Sequence, residues 1–322
     1  MVFNYENIHK SQNMIIFYKY ARKLLKYISS IAKVAIFFVS FSVFGEKNSD
    51  IGTIATLDHA VGETLFEILD SPVAMGSVSS YRKWVGENSI PKDLVNIGIT
   101  YQPNKELLSK LDITSILIPL QFTYLEKSLS TIAPVKQLSP YNVSSISGWK
   151  KIINFTKEVG LYSDRKNEAE LMISEAEEEL FEIRERAGSI SSPLLIVQFL
   201  GKKHVRVYAD NSMPGIVLDR LGLQNAWKGK SNRWGFSIVS ISELFDYDDH
   251  LVIIDTSHLT GQKILQEGVM LSDIWSRLPS VQKNNFTLLN ADFWVFGALP
   301  SAIRFADSLV NVLNPPHSSR RW

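Results

Sequence analysis

The sequence predicts an α/β fold of two lobes with mostly parallel central sheets, joined by one long α-helix, with a ligand cleft between the lobes. The chain has 322 residues and is 45% apolar, which suffices for two domains with substantial hydrophobic cores. Short apolar runs alternate with amphipathic segments, a pattern typical of parallel sheets covered by helices. A single long amphipathic segment divides this pattern into two similar halves.

The first half begins after residue 50. We predict a strand at 51–57, a helix at 60–69, and further strands at 72–75 and 115–120. Each predicted strand is a short apolar run bounded by polar or turn-forming residues, as buried strands are. In such a fold the carboxyl ends of the strands lie at one edge of the sheet, where ligands bind.

A long helix is predicted between the halves, over residues 164–187. Its apolar residues recur at steps of three and four, the spacing of one helical face: Ala169, Met172, Ile173, Ala176, Leu180, Ile183 and Ala187. Ser163 and Asp164 suit an N-terminal cap, and Gly188 suits a C-terminal stop. A helix of about 24 residues would span roughly 36 Å and leave the lobes little freedom to close. A coiled-coil seam is the alternative, but the pattern lacks sustained heptads.

The second half repeats the alternation. We predict strands at 194–200, 205–208, 251–255 and 286–290, and helices at 215–221 and 301–313. The predicted organisation is a signal peptide at 1–45, a first lobe at 46–162, a linking helix at 163–188, a second lobe at 189–314 and a tail at 315–322.

The N-terminal segment has the composition of a secretory signal peptide. Residues 1–33 are rich in lysine and arginine, and residues 34–45 are mostly apolar but too short for the ~20 residues of a membrane span. Val43 and Gly45 are small enough for the −3 and −1 cleavage positions. We therefore predict export to the periplasm through a cleaved signal peptide; an uncleaved anchor or an apolar core helix are the alternatives.

Composition excludes several classes of function. The 34 Lys and Arg residues balance 33 Asp and Glu residues, so no basic excess favours nucleic acid. The absence of cysteine excludes disulfides, thiolate metal sites and cysteine nucleophiles. The six histidines are isolated and lack metal-ligand spacing. We predict no enzyme and no metal or cofactor held by the protein; an exported hydrolase using the adjacent Ser257 and His258 is the weaker alternative.

Aromatic residues cluster where predicted strands end. Trp84 follows one such strand, Phe122 and Tyr124 follow another, and two further groups contain Trp234 and the pair Trp294 and Phe296. Tryptophan supplies rigid apolar area, and a nearby arginine such as Arg82 supplies a planar fork of donors for paired oxygens. This combination predicts a bulky ligand with a partly apolar shell and a clustered oxygen centre.

Residues 51–314 resemble the periplasmic ferric-siderophore-binding proteins of the single-helix-linker class, in particular the ferric hydroxamate-binding proteins of Gram-negative ABC importers. The matching stretches are Tyr81-Arg-x-Trp-Val-x-Glu, Pro103-Asn-x-Glu-Leu-Leu, Ile132-Ala-Pro134, Asn225-Ala-Trp-x-Gly-x-x-Asn-x-Trp-Gly235 and Trp294-x-Phe-Gly-Ala. The resemblance implies a monomer without enzymatic activity. It also implies that the protein binds an Fe(III)-siderophore complex, such as ferrichrome or a ferrioxamine, and delivers it to an inner-membrane permease.

The resemblance also implies roles for individual residues. Arg82 matches an arginine that hydrogen-bonds the iron-bound hydroxamate oxygens, and the expected ligand-binding set is Arg82, Trp84, Phe122, Tyr124, Trp234, Trp294 and Phe296. Phe122 stands where the family has a tyrosine donor, with Tyr124 two residues away. Glu126 and Glu243 lie at or beside the positions that dock on the permease. A ferric carboxylate siderophore is the alternative ligand, for which Arg233 or Lys230 would add positive charge near Arg82.

Overall fold

The structure is a computed structural model that describes residues 52–69, 73–141, 148–261 and 263–315. The predicted signal peptide at 1–45 and nearly all of the predicted tail at 315–322 lie outside these ranges. Within the described ranges, no helix combines the length and the apolar character that crossing a membrane requires.

The first lobe is built on an all-parallel sheet. Its strands are β1 (Thr53–Thr56), β2 (Val73–Met75), β3 (Val95–Asn96), β4 (Gly98–Ile99), β5 (Gln102–Pro103), β6 (Ile113–Ile118) and β7 (Val135–Gln137). Five of them form the sheet in the order β3-β2-β1-β6-β7, and β4 and β5 form a short antiparallel pair. The helices are α1 (His59–Ile68), α2 (Val78–Val85), α3 (Lys105–Lys110), α4 (Glu126–Leu129) and α5 (Gly148–Tyr162), with 3₁₀ turns at Glu87–Ser89 and Leu120–Leu125.

Helix α6 (Lys166–Ala187) lies between the lobes. The apolar stripe predicted from sequence faces inward, with Ala169, Ile173, Ala176, Leu180, Ile183 and Ala187 all buried. The start of the helix differs from the predicted one. Asp164 adopts a left-handed φ of 56°, and Ser163 donates from Oγ to the Val159 carbonyl at 2.7 Å, so these two residues close α5.

The second lobe carries a mixed sheet. Its strands are β8 (Leu194–Phe199), β9 (His204–Tyr208), β10 (Phe236–Ser240), β11 (His250–Asp255) and β12 (Phe286–Asn290), in the order β10-β9-β8-β11-β12. Strand β11 is parallel to β8 and β12, whereas β9 is antiparallel to both β8 and β10. The helices are α7 (Met213–Leu221), α8 (Ser257–Thr260), α9 (Asp273–Arg277), α10 (Pro279–Gln282) and α11 (Leu299–Leu313), with a 3₁₀ turn at Ile241–Asp246 and a π-helical turn at Ile264–Val269.

The predicted fold class is confirmed: two α/β lobes, mostly parallel sheets and one long helix between them. One apolar core is shared by the lobes, since α1 and β1 of the first and α7 and α11 of the second pack into the same cluster as α6. The long helix is therefore packed along its length against α5 and α11. The strand predicted at 205–208 is β9, but its antiparallel direction was not predicted, and this strand lies at the centre of the site.

Candidate functional site

A cavity of about 390 Å³ lies between the lobes, within the range typical of small-molecule sites. Residues of both lobes line it: Leu57, Asp58, His59, Thr100, Gln121, Phe122, Ser139, Pro140, Tyr141, Arg206, Trp234, Phe236, Trp294 and Phe296. The first lobe contributes most of the polar side chains and the second lobe most of the aromatic ones. The cavity therefore has two chemically different walls.

The first-lobe wall is centred on the start of helix α1. Asp58 follows β1 and caps the helix, accepting through Oδ1 from the amides of Ala60 at 2.7 Å and Val61 at 3.4 Å. Burial raises the pKa of the Asp58 carboxyl to about 6, although both amides oppose the rise and Glu63 adds to it. Asp58 is thus mostly ionised at neutral pH.

His59 contributes a neutral imidazole to the same wall. Its Nε2 donates to the Gly76 carbonyl at 3.2 Å, and burial lowers the pKa of the ring to about 4. The ring packs between Tyr81 and Trp294, with centroid distances of 5.2 and 5.1 Å. His59 therefore adds no positive charge at neutral pH.

The second-lobe wall is centred on Arg206, which lies within strand β9. Its Nη1 donates to Oε1 of Gln198, the residue opposite it on β8, at 2.8 Å. The guanidinium lies 4.7 Å above the ring of Phe236 and 5.4 Å from that of Phe296, distances at which cation–π attraction operates. No carboxylate of the described residues pairs with it, and its Nε is buried without an acceptor. Arg206 therefore retains positive charge for a ligand.

Trp234 is placed by a tight turn before β10. Its ring stacks on Phe236 at 6.5 Å and carries the Arg233 guanidinium 4.1 Å from its centroid. Gly235 adopts a φ of 83°, and a Cβ there would collide with the backbone of Ser212. This turn requires glycine for both reasons.

The loop that carries Trp294 and Phe296 is attached to the first lobe by a buried carboxylate, Glu63 of α1. Glu63 is 2% exposed and accepts four hydrogen bonds. Its donors are Tyr81 Oη at 3.2 Å, Ala298 N at 2.9 Å, Ser301 Oγ at 2.5 Å and Arg304 Nη2 at 2.9 Å. Three of these donors belong to the second lobe, so Glu63 forms a polar joint between the lobes.

This joint reaches the cavity wall through Ser301. The Trp294 amide donates to Ser301 Oγ at 2.8 Å, so two hydrogen bonds in series join the backbone of the wall to Glu63. At Gly297 a Cβ would collide with Glu63 Oε1 and with Ser301. Burial raises the pKa of Glu63, although Arg304, Ser301 and the Ala298 amide oppose the rise. Burial alone would lower the pKa of Arg304, but Glu63, Tyr81, Asp292 and Glu67 together outweigh burial and raise that pKa.

The structure brings four of the seven predicted ligand-binding residues to the cavity: Phe122, Trp234, Trp294 and Phe296. Trp84 lies behind the wall, with its ring 5.2 Å from that of Trp294. Tyr124 is 64% exposed and donates to the Tyr101 carbonyl at 3.3 Å. Arg82 lies outside the lining, where its half-exposed guanidinium is paired with Glu87.

The other predicted residues lie away from the cavity. Glu126 accepts from Gln137 Nε2 at 2.6 Å on the first lobe, and Glu243 is exposed in the 3₁₀ turn of the second lobe. Ser257 donates to Asp255 Oδ2 at 2.7 Å, and neither Ser257 nor His258 lines the cavity. Among the described residues, no group of three or more His, Cys, Asp or Glu side chains could hold a metal ion.

Sequence reasoning missed Arg206, Asp58 and His59. Asp58 and His59 directly follow the predicted strand at 51–57, so the strand-end rule that selected the aromatics would also have selected them. Arg206 gave a different signal, because it is a charged residue between the buried Val205 and Val207 of a strand. An alternating strand directs such a residue to the opposite face from its apolar neighbours.

The model of the periplasmic binding protein family matches residues 54–293 of the chain. The iron(3+)-hydroxamate-binding protein FhuD of Escherichia coli K12 is 26% identical over 268 residues, covering 82% of this chain and 88% of the relative. Among solved structures, the Fe³⁺-Desferal-bound siderophore-binding protein FhuD of Vibrio cholerae has a TM-score of 0.70 and 23% identity, covering 83% of this chain and 99% of its own. The petrobactin-binding protein YclQ of Bacillus subtilis has a TM-score of 0.64 and 16% identity, covering 82% of this chain and 93% of its own.

Proposed function

We propose that this chain, which belongs to the periplasmic binding protein family, is the substrate-binding component of an iron-siderophore ABC importer. It binds a ferric hydroxamate in the cavity between its lobes and delivers it to an inner-membrane permease. The similarity to the hydroxamate-binding relative, over 82% of this chain, supports the ligand class. The protein itself supplies no ligand to the iron, which the siderophore holds, and it performs no chemical reaction.

The observation that carries this proposal is an arginine without a carboxylate partner in a wall of aromatic rings. A ferric hydroxamate presents a cluster of electron-rich oxygens around the metal and apolar chains around that cluster. The Arg206 guanidinium offers donors to such oxygens, while Trp234, Phe236, Trp294 and Phe296 offer apolar area to the chains. Each wall component thus has a complement in the ligand.

Arg206, rather than Arg82, is the arginine that binds the iron-bound oxygens. Arg82 forms an ion pair with Glu87 and lies outside the cavity lining, whereas Arg206 lines the cavity and has no carboxylate partner among the described residues. The ligand-binding set that we propose consists of Arg206, Phe122, Trp234, Trp294 and Phe296, with Trp84 supporting Trp294 from behind.

A titration of matched variants tests this assignment. The change Arg206→Gln removes a charge-assisted hydrogen bond worth roughly 1.5–3 kcal/mol, so affinity for ferrichrome or ferrioxamine should fall about tenfold to a hundredfold. Quenching of tryptophan fluorescence by the iron complex measures this affinity, because Trp234 and Trp294 line the cavity. Arg82→Gln is the control and should bind like the wild type.

Two outcomes would contradict the proposal. If no ferric siderophore in a broad panel changes the emission or the melting temperature, the siderophore function fails. If the loss of affinity follows Arg82 instead of Arg206, the function stands and the assignment of the arginine fails.

Export and docking belong to the same proposal. The leader at 1–45 directs the chain to the periplasm, where it acts as a monomer, and sequencing the N-terminus of the periplasmic protein tests the cleavage after Gly45. Glu126 on the first lobe and Glu243 on the second contact the permease. Their surface position away from the cavity lining supports a role separate from ligand binding.

A further inference from the structure

The first-lobe wall of the cavity carries a negative charge that the proposed function does not use. Asp58 is partly buried at the start of α1 and lines the cavity. Its Oδ1 caps the helix, whereas its Oδ2 accepts no hydrogen bond from any described residue. No lysine, arginine or histidine of the described residues lies within ion-pair distance of it.

Helix capping alone does not require this charge. Any short side chain with an acceptor oxygen caps a helix, and serine and asparagine perform about as well as aspartate. Among the described residues, three other α-helices have a side-chain N-cap, and each uses a neutral residue: Asn104, Ser212 and Ser272. Aspartate caps the helix that begins at the cavity, which indicates a second role for its charge there.

The remaining groups of the cavity do not neutralise Asp58. His59 is uncharged at neutral pH, because burial lowers its pKa to about 4. Arg206 is the cationic side chain of the lining, and it forms no ion pair with Asp58. The cavity therefore has a positive pole on the second lobe and a separate negative pole on the first.

A ligand that satisfies both poles has electron-rich oxygens at one end and a cation at the other. A primary ammonium suits the negative pole, since it donates hydrogen bonds to a carboxylate oxygen and is also attracted to aromatic faces. The ring of Trp294 packs on His59, the residue next to Asp58, so such a face is present nearby.

We propose that Asp58 makes this cavity selective for ferric hydroxamates that carry a free ammonium group. This selectivity rests on the proposed siderophore function and narrows it to one chemical class of ligand. The Oδ2 atom of Asp58 accepts the ammonium, while Arg206 and the aromatic wall hold the iron centre.

A cycle of two proteins and two ligands tests the selectivity. Iron-loaded desferrioxamine B carries a terminal ammonium, and its N-acetyl derivative is the same chelate without that charge. The wild type should bind the ammonium form about tenfold or more tightly than the acetylated form, as a charge-assisted hydrogen bond predicts. Asp58→Asn keeps an acceptor for the helix cap and should bind both ligands with nearly equal affinity.

The outcomes separate the two proposals. Equal affinity of the wild type for both ligands, or an unchanged preference in Asp58→Asn, would overturn the selectivity and leave the siderophore function standing. Failure of both ligands and of ferrichrome to bind the wild type would overturn the function and the selectivity with it. Thermal melting of Asp58→Asn verifies its fold, and Asp58→Ser supplies a second neutral cap if the asparagine variant does not fold.

Discussion

The two lobes build their cavity walls in different ways. In the first lobe, a parallel sheet places Asp58, Phe122 and Ser139 in segments that follow strand ends, as open α/β folds do. In the second lobe, Arg206 lies within an antiparallel strand, and its partner strand begins at Phe236. The first wall consequently holds polar and titratable groups, and the second holds aromatic rings around one permanent charge.

The difference has a consequence for the ligand. Arginine stays protonated throughout the physiological range, and aromatic rings do not titrate, so the second wall binds independently of pH. Aspartate in a partly buried position does titrate, so the first wall makes recognition depend on pH and on ligand charge. The Glu63 joint couples the walls, because it ties α1 of the first lobe to the loop of the second wall.

Breaking this joint should have the largest effect. Glu63→Gln replaces a buried carboxylate that accepts four hydrogen bonds with an amide, which leaves Arg304 without its ion-pair partner. We expect a loss of about 2–4 kcal/mol in the free energy of unfolding, measured by urea denaturation. Siderophore affinity should also fall, because Trp294 loses its fixed position.

Glu67→Gln is the matched control for that change, since Glu67 lies one turn along the same helix and is exposed. The near-ultraviolet circular dichroism of the tryptophans should change in the Glu63 variant and not in the control. Unchanged stability and an unchanged tryptophan spectrum for Glu63→Gln would show that the walls are positioned independently of the joint.

Truncating one aromatic residue of each wall compares the walls directly. Trp234→Ala should weaken siderophore binding about tenfold to thirtyfold, because a tryptophan side chain contributes a large contact area. Phe122→Ala should weaken it less than about fivefold, because Phe122 has a smaller ring and lies on the more polar of the two walls. Isothermal titration calorimetry measures the affinity of both variants. An equal loss of affinity in the two variants would refute the different contributions assigned to the two walls.

The titratable groups of the first wall should change how the free energy of unfolding depends on pH in the acid range. The ordinary pKa of histidine is 6.5 and that of folded His59 is about 4, so acidification between these values favours the unfolded chain. The ordinary pKa of aspartate is 3.8 and that of folded Asp58 is about 6, so acidification over that range favours the folded chain. The two effects oppose each other in the wild type.

Asp58→Asn removes the stabilising effect of protonating Asp58 and leaves the destabilising effect of protonating His59. The variant should therefore lose about 1–3 kcal/mol more stability than the wild type between pH 6 and pH 4, measured by urea denaturation at each pH. The other titratable groups near Asp58 and His59 are the same in the wild type and in Asp58→Asn: Glu63, Arg304 and Tyr141. Adding His59→Gln to Asp58→Asn should abolish the difference from the wild type in how stability depends on pH. Parallel profiles of stability against pH for Asp58→Asn and the wild type would contradict the role assigned to Asp58.

The smallest effect on affinity is expected from the docking residues, one on each lobe. The double change Glu126→Ala and Glu243→Ala should leave siderophore affinity within about twofold, because exposed charges away from the lining contribute little. Uptake of the iron complex by cells should fall, because charges at a fixed spacing orient the encounter with the permease. Uptake is compared at equal protein levels; normal uptake would exclude both residues from docking.

Much of the fold was predictable because it depends on local patterns. The strand at 286–290 and the helix that ends at Ala187 lie where their apolar spacing predicted them, since burial of one face selects the period. The start of the long helix was predicted two residues early. Ser163 and Asp164 have capping side chains, but the sharp turn between α5 and α6 uses them otherwise.

The sequence by itself determined the fold class, the aromatic character of the site and the positions of Trp234, Trp294 and Phe296, because these follow from residue type and spacing. Only the tertiary structure decided which charges face the ligand cavity. Arg206 reaches the cavity because β9 pairs antiparallel with β8 and β10, whereas Arg82 pairs with Glu87 outside the lining. Strand direction and long-range pairing between Glu63 and Arg304 arise from contacts between distant residues, which local periodicity does not encode.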